Sequence, residues 1–229
     1  MTVDGVINNK HKLIFLPSQK CASTSTYLML KASGGVQEND NMGSTSLDGY
    51  RNNGYSIFTI ARTPMSRAIS AWKWFTSTDF INDVDLCIDD TNGGVDFEKQ
   101  DIAKLGIYTG MPFDDFINVH KPWATGPGTF ARPAGYYEYG DWLESQYSTI
   151  VHCDYILRIS HLSSDLKSML SDKKMKQKVY DKLLGNLPHK NKTQGKYTDP
   201  LISEDSEQWI NEHFIVDINN LPTVYTYSK

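Results

Sequence analysis

The chain has 229 residues, 39% of them apolar and 22% charged, at a net charge of −4, which suits one ordinary globular domain with a sizeable core. No stretch approaches about 18 consecutive apolar residues, and Met1 to Lys12 has no apolar run of signal-peptide type, so no membrane association and a cytoplasmic location are expected. Three cysteines without a CxxC pair and six scattered histidines argue against a disulfide framework or a zinc site, so three free thiols and no metal are expected.

In chain order, Leu13 to Leu16, closed by Pro17, reads as a buried strand. A polar loop, Ser18 to Ser25, follows, and a helix of two to three turns is expected from near Ser23 to the stop at Gly34-Gly35. The same grammar recurs further on. Tyr55 to Ala61 reads as a strand, Arg62-Thr63 as a short loop, and Pro64 to Phe75 as a helix with Met65, Ile69, Trp72 and Phe75 on its apolar stripe. Two strand-loop-helix units predict an α/β fold, a single domain whose central, mainly parallel sheet is flanked by helices. Between Ser77 and Gly140 the periodicity is weak, and only Pro112 to His120 reads as a helix. Tyr155 to Ile159 then reads as a strand, and helices are expected over Leu162 to Leu170, over Lys173 to Leu184 before Gly185, and from the Ser203 cap to about Phe214.

The charges are unevenly placed. Gly5 to Gln37 and Gly49 to Thr78 contain no acid, while Lys10, Lys12, Lys20, Lys31, Arg51, Arg62, Arg67 and Lys73 fall within them. An acidic protein that keeps acids out of two segments is suited to bind an anion there. In the first segment, Lys20-Cys21-Ala22-Ser23-Thr24-Ser25-Thr26 spans a strand-to-helix junction, where unpaired N–H groups, hydroxyls and a lysine make a phosphate cradle. It lacks the GxxxxGK[ST] order of an ATPase loop. In the second, Arg62 stands at a strand end and Ser70 about two turns into the next helix, so both are expected to converge on one tetrahedral anion. Arg67 shares that task or is a solvated helix residue.

Both segments together resemble the donor-binding loops of the PAPS-dependent sulfotransferases, closest to the carbohydrate (Golgi-type) enzymes and their bacterial and viral relatives. The first loop of that family runs Pro-Lys-x-Ala-Ser-Thr-Ser, and the second, Arg-x-Pro-x-x-Arg-x-x-Ser, is matched at Arg62, Pro64, Arg67 and Ser70. Here Pro17 is separated from Lys20 by Ser18-Gln19. The resemblance implies a P-loop-like sulfotransferase fold in which residues 12–75 form the donor-binding core, 77–148 an acceptor-side region and 149–229 a C-terminal strand with helices. It implies that Lys20 to Thr26 hold the 5′-phosphosulfate of PAPS and that Arg62 and Ser70 hold the 3′-phosphate, with adenosine 3′,5′-bisphosphate as product. Asp154 to Arg158 with His161-Leu162 is similar to a late strand and helix start of the family, and Leu187 to Thr193, including Lys192, to a loop that closes over the donor.

Transfer also needs a base for the acceptor hydroxyl or amine. Glu38, after the strand-like Gly35-Val36-Gln37, is the first candidate and His120 the second. The aromatic run from Phe130 to Trp142 suits a sugar or polyol, or simply packs on the core. Ten acids between Asp79 and Asp115 favour a neutral or cationic acceptor over a polyanion, and neither nucleic acid nor membrane is an expected partner. Two alternatives remain open at this point: a nucleotide-dependent kinase, and a non-catalytic nucleotide-binding protein on the same fold.

Overall fold

A computed structural model describes residues 2–18, 20–34, 36–78, 106–130, 141–172, 177–185 and 198–220. In chain order its elements are β1 (Thr2–Asn8), β2 (Leu13–Phe15), α1 (Ser23–Ser33), β3 (Val36–Gly43), α2 (Ser44–Asn52), β4 (Ser56–Ala61), α3 (Pro64–Phe75), α4 (Phe113–His120), β5 (Ala124–Gly126), β6 (Thr129–Phe130), α5 (Tyr147–Ile150), β7 (Tyr155–Arg158), α6 (Leu162–Asp172), α7 (Gln177–Gly185), α8 (Glu204–His213) and α9 (Ile215–Asn220). The chain forms two compact units, one of residues 1–63, 146–192 and 221–229, the other of 64–145 and 193–220.

The first unit is built on a five-stranded sheet of order β3-β1-β2-β4-β7. β2, β4 and β7 run parallel, whereas β1 is antiparallel to both β2 and β3. The expected mainly parallel sheet is therefore a mixed one, parallel in its β2-β4-β7 half. Side chains alternate across it as the two-residue period of a strand requires. Leu13, Phe15, Phe58 and Ile60 pack with Met29 and Leu30 of α1, with Leu166, Met169 and Leu170 of α6, and with Leu183 of α7. Ile14 and Ile57 point to the opposite face and meet Leu47 of α2. Helices thus cover both faces, and the largely apolar runs of β2 and β4 follow from that double burial.

Two features tie the strand ends of this unit together. Asp154, just before β7, accepts from the Ile57 amide at 2.9 Å and from Arg51 Nε at 2.7 Å, joining α2, β4 and β7. At the other end of β7, Asp165 of α6 accepts from the Arg158 amide at 2.8 Å and from its guanidinium at 2.9 and 2.7 Å. Those bonds, led by the guanidinium, hold the Asp165 carboxyl below its ordinary pKa. A carboxylate depressed in the folded state contributes stability that is complete above the unfolded pKa and disappears as pH falls through the folded value. Asp165→Asn is therefore expected to lower stability at pH 7 by about 1–2 kcal/mol, and the difference from the parent shrinks as melts are carried into acid below the ordinary carboxylate range.

In the second unit α3, α4, α8 and the single turn at Asp141–Leu143 enclose an aromatic core of Trp72, Phe75, Phe113, Phe116, Trp142 and Phe214. The Trp72 indole donates to the Met111 carbonyl at 2.7 Å. Ser203 caps α8 as the sequence indicates, its hydroxyl accepting from the Ser206 amide at 3.2 Å. The β5–β6 turn needs Gly128, whose φ is +65° and where an added Cβ would meet Ser145 Cβ at 2.6 Å. α9 continues the chain beyond the expected end, and its Asp217 accepts a hydrogen bond from Ser145.

Candidate active site

The candidate donor site grows from the β2–α1 junction of the first unit. β2 is held in its sheet beyond its own end, because Leu16 donates to the Phe58 carbonyl at 2.9 Å and accepts from the Thr59 hydroxyl at 2.7 Å. The chain then turns sharply. Cys21 donates back to the Ser18 carbonyl at 3.2 Å, and both Lys20 (φ 62°) and Ala22 (φ 61°) are left-handed, a conformation that residues with a side chain adopt at a cost. A left-handed residue followed by a right-handed one turns successive N–H groups toward one side and forms an anion-binding concavity, and Ala22 leading into α1 has that order.

Ala22 stands at the N-cap of α1 without a side-chain cap, and no acid occupies the first turn. The positive end of the helix is thus neither capped from its own N-cap residue nor neutralised from within. Two of the expected hydroxyl donors serve the loop itself. Ser23 Oγ donates to the Ser18 carbonyl at 2.8 Å and Thr26 Oγ1 to the Ala22 carbonyl at 3.0 Å, so these two shape the turn, while Thr24 is exposed and Ser25 half-buried.

Lys20 and Arg62 are brought close enough to repel. Burial, and after it the Arg62 guanidinium, pushes the Lys20 ammonium down to about 7. Two cations held together in a partly buried site at the end of an uncapped helix are suited to a polyanion, which relieves their repulsion on binding.

Arg62 follows β4 directly, and its backbone is gripped by a residue the sequence does not single out. The carboxamide of Gln146, 1% exposed, accepts from the Arg62 amide at 3.0 Å and donates to the Arg62 carbonyl at 2.8 Å. The same Gln146 Oε1 accepts from Cys21 Sγ at 3.1 Å. No composition or spacing signal marks this glutamine, since it lies 84 residues from Arg62 in sequence.

The other expected site residues are placed differently. Ser70 lies half-buried on α3 and Arg67 is 1% exposed, both in the second unit. Arg67 is not a solvated helix residue: its Nη1 donates to the Glu144 carbonyl at 2.6 Å and its guanidinium lies 5.7 Å from the Phe214 ring centroid. His120 is also a core residue, 0% exposed, with Nδ1 on the Phe116 carbonyl at 2.8 Å. Phe116, Trp123 and Trp142 surround its ring, and burial pushes its pKa down to about 4. A histidine without solvent contact, fixed by a core carbonyl, is not presented to an acceptor, so the base role is not carried forward for it. Glu38 lies in β3 opposite Val6 of β1, and its side chain is outside the described residues. Lys192 with Leu187 to Thr193, and Tyr136 to Tyr139 of the aromatic run, also lie outside them.

The family model for the sulfotransferase family matches residues 4–219. The chain belongs to the sulfotransferase family. No curated protein and no solved structure matches it at a significant level. Membership supports sulfuryl transfer in general and gives no support to the nucleotide-kinase alternative. Among the described residues of this sulfotransferase, no three His, Cys, Asp or Glu side chains gather as metal ligands, and no helix is long and apolar enough to cross a membrane.

Proposed function

We propose that this sulfotransferase takes its sulfuryl group from PAPS and transfers it in line to a hydroxyl or amine of a carbohydrate or small-molecule acceptor. The observation that carries the reading is the left-handed turn at Lys20 and Ala22 leading into the start of α1, which has no side-chain cap and no acid in its first turn. In this reading the loop from Lys20 to Thr26 holds the 5′-phosphosulfate, through Lys20 and the N–H groups from Ala22 to Ser25, and Arg62 and Ser70 hold the 3′-phosphate. PAPS supplies the activated sulfuryl group. Lys20, charged when an anion lies beside it, steadies negative charge on the departing phosphate oxygen, which is the main help such a transfer needs. Glu38 is proposed as the base and Lys192 as a further donor contact, and the segment rich in acids before α4 favours a neutral or cationic acceptor.

Thermal shift separates donors. Adenosine 3′,5′-bisphosphate at about 100 times its Kd is expected to stabilise the protein by about 2.7 kcal/mol, with a smaller effect from ATP and magnesium. Absence of a shift with the bisphosphate would sink the donor assignment. Arg62→Ala is expected to weaken bisphosphate binding about 10- to 100-fold, the range of a charge-assisted phosphate contact, as read by titration calorimetry. Transfer of labelled sulfate to neutral, cationic and heparin-like acceptors then separates enzyme from mere binder, and preferential labelling of the heparin-like chain would refute the acceptor class.

A further inference from the structure

We propose that Gln146 is a positioning residue of the donor site: its carboxamide extends the β4 hydrogen-bond ladder to Arg62 and ties that strand end to the β2–α1 loop at Cys21. The proposal rests on the donor reading above. β4 pairs with β7 as far as Ala61 opposite Arg158, and the chain leaves the strand at the next residue. Arg62 would there present an amide and a carbonyl with no strand beside them. Gln146 supplies both partners at 3.0 and 2.8 Å, as a neighbouring peptide unit would.

The orientation of the amide is fixed by chemistry. The Arg62 N–H can only donate and its carbonyl only accept, so Oε1 must face the first and Nε2 the second. Oε1 has a second lone pair, and the Cys21 thiol donates to it at 3.1 Å. Cys21 itself sits between the left-handed Lys20 and Ala22 and is 0% exposed. One side chain therefore holds both ends of the cation pair: the backbone from which the Arg62 guanidinium departs, and the turn that carries Lys20.

The glutamine is itself firmly held. It leads into α5, whose Thr149 and Ile150 amides donate to its carbonyl at 3.1 and 3.0 Å, and Ile150 packs on Ala61 of β4. Asparagine would fall one methylene short, and an ionised glutamate would set a carboxylate against the Arg62 carbonyl. Leucine or methionine would fill the space and satisfy neither backbone group.

The test uses the full chain and titration with adenosine 3′,5′-bisphosphate and with AMP, which lacks the 3′-phosphate. The parent is expected to prefer the bisphosphate. In Gln146→Met that preference is expected to fall about tenfold, as for a misdirected phosphate contact, and AMP, whose 5′-phosphate depends on the loosened Cys21 turn, is expected to bind more weakly than to the parent but by less than the bisphosphate does. In an Arg62→Ala background the same substitution is expected to change the preference by less than about twofold, because a residue that acts through Arg62 has nothing left to direct. An unchanged preference in Gln146→Met, or a full effect without Arg62, overturns the proposal and leaves the donor reading standing. A parent with no preference overturns the donor reading and the role of Gln146 with it. Should Gln146→Met not fold, Gln146→Glu serves instead. Its protonated carboxyl reproduces all three bonds and its ionised form loses the donor, so its preference relative to the parent at the same pH is expected to recover between about pH 8 and about pH 5. A ratio independent of pH overturns the proposal.

Discussion

Lys20→Met is expected to weaken binding of adenosine 3′,5′-bisphosphate at least 100-fold and, at pH 6, to raise the melting temperature. Both effects have one origin. The site takes Lys20 out of water, with the Arg62 charge nearby, which lowers its pKa from the ordinary 10.5 to about 7. Between those two values the unfolded chain binds a proton at Lys20 that the folded chain does not, so this residue makes stability rise with pH through the window. Below about pH 7 both states are protonated and the full cost of the enclosed charge is present. Methionine removes that cost and keeps the side-chain volume, a gain of about 1–2 kcal/mol, or roughly 2–8 °C for a chain of this size. The gain shrinks as pH rises toward 10. A bound polyanion reverses the balance, because it favours the charged lysine and draws a proton onto it. Bisphosphate binding is therefore expected to take up a proton near pH 7.5 and to weaken as pH rises further, read as a buffer-dependent calorimetric enthalpy that Lys20→Met abolishes. A variant that loses stability at pH 6, or that binds the bisphosphate as the parent does, contradicts the assignment of Lys20.

The second large effect concerns Arg67, which resembles a phosphate ligand in sequence and is a core residue in the structure. Its side chain is 1% exposed, donates to the Glu144 carbonyl at 2.6 Å and lies over Phe214. Arg67 and Asp217 both act electrically on His213, whose pKa is lowered first by burial, so an arginine, a histidine and a carboxylate share one enclosed cluster. His213 adds a bond to the Leu143 carbonyl at 2.7 Å. Arg67→Ala opens a cavity, leaves the Glu144 carbonyl without this donor and takes the guanidinium away from the Phe214 ring. A loss of about 3–4 kcal/mol, roughly 6–16 °C, is expected. Arg67→Met keeps most of the packing and is expected to cost about half as much. Equal melting temperatures for the parent and the alanine variant would show that the buried guanidinium contributes nothing net.

The strands and helices that carry a pattern in their own residues were legible. β2 and β4 are short, largely apolar runs buried against helices, β7 is an apolar-rich run with Leu157 buried, and α3 begins at Pro64 and ends at Phe75 as its stripe indicates. β1 was not legible, and of β3 only its strand-like start at Val36-Gln37 was. Thr2–Asn8 and Val36–Gly43 are polar or glycine-containing, and their strand form comes from pairing with each other and with β2. Strand preference in such segments belongs to the partner as much as to the residue. The sheet became mixed for the same reason.

By itself, the sequence determined the family and marked two candidate anion-binding loops, because Lys20 to Thr26 and Arg62 to Ser70 are local motifs whose residue types match an anion. Tertiary structure alone decided which of their neighbours support that chemistry. It moved Arg67 and His120 into an aromatic core, turned the Ser23 and Thr26 hydroxyls inward, and brought Gln146 to Arg62. Burial and long-range hydrogen bonds depend on what the chain folds against, and neither leaves a periodic trace in the sequence.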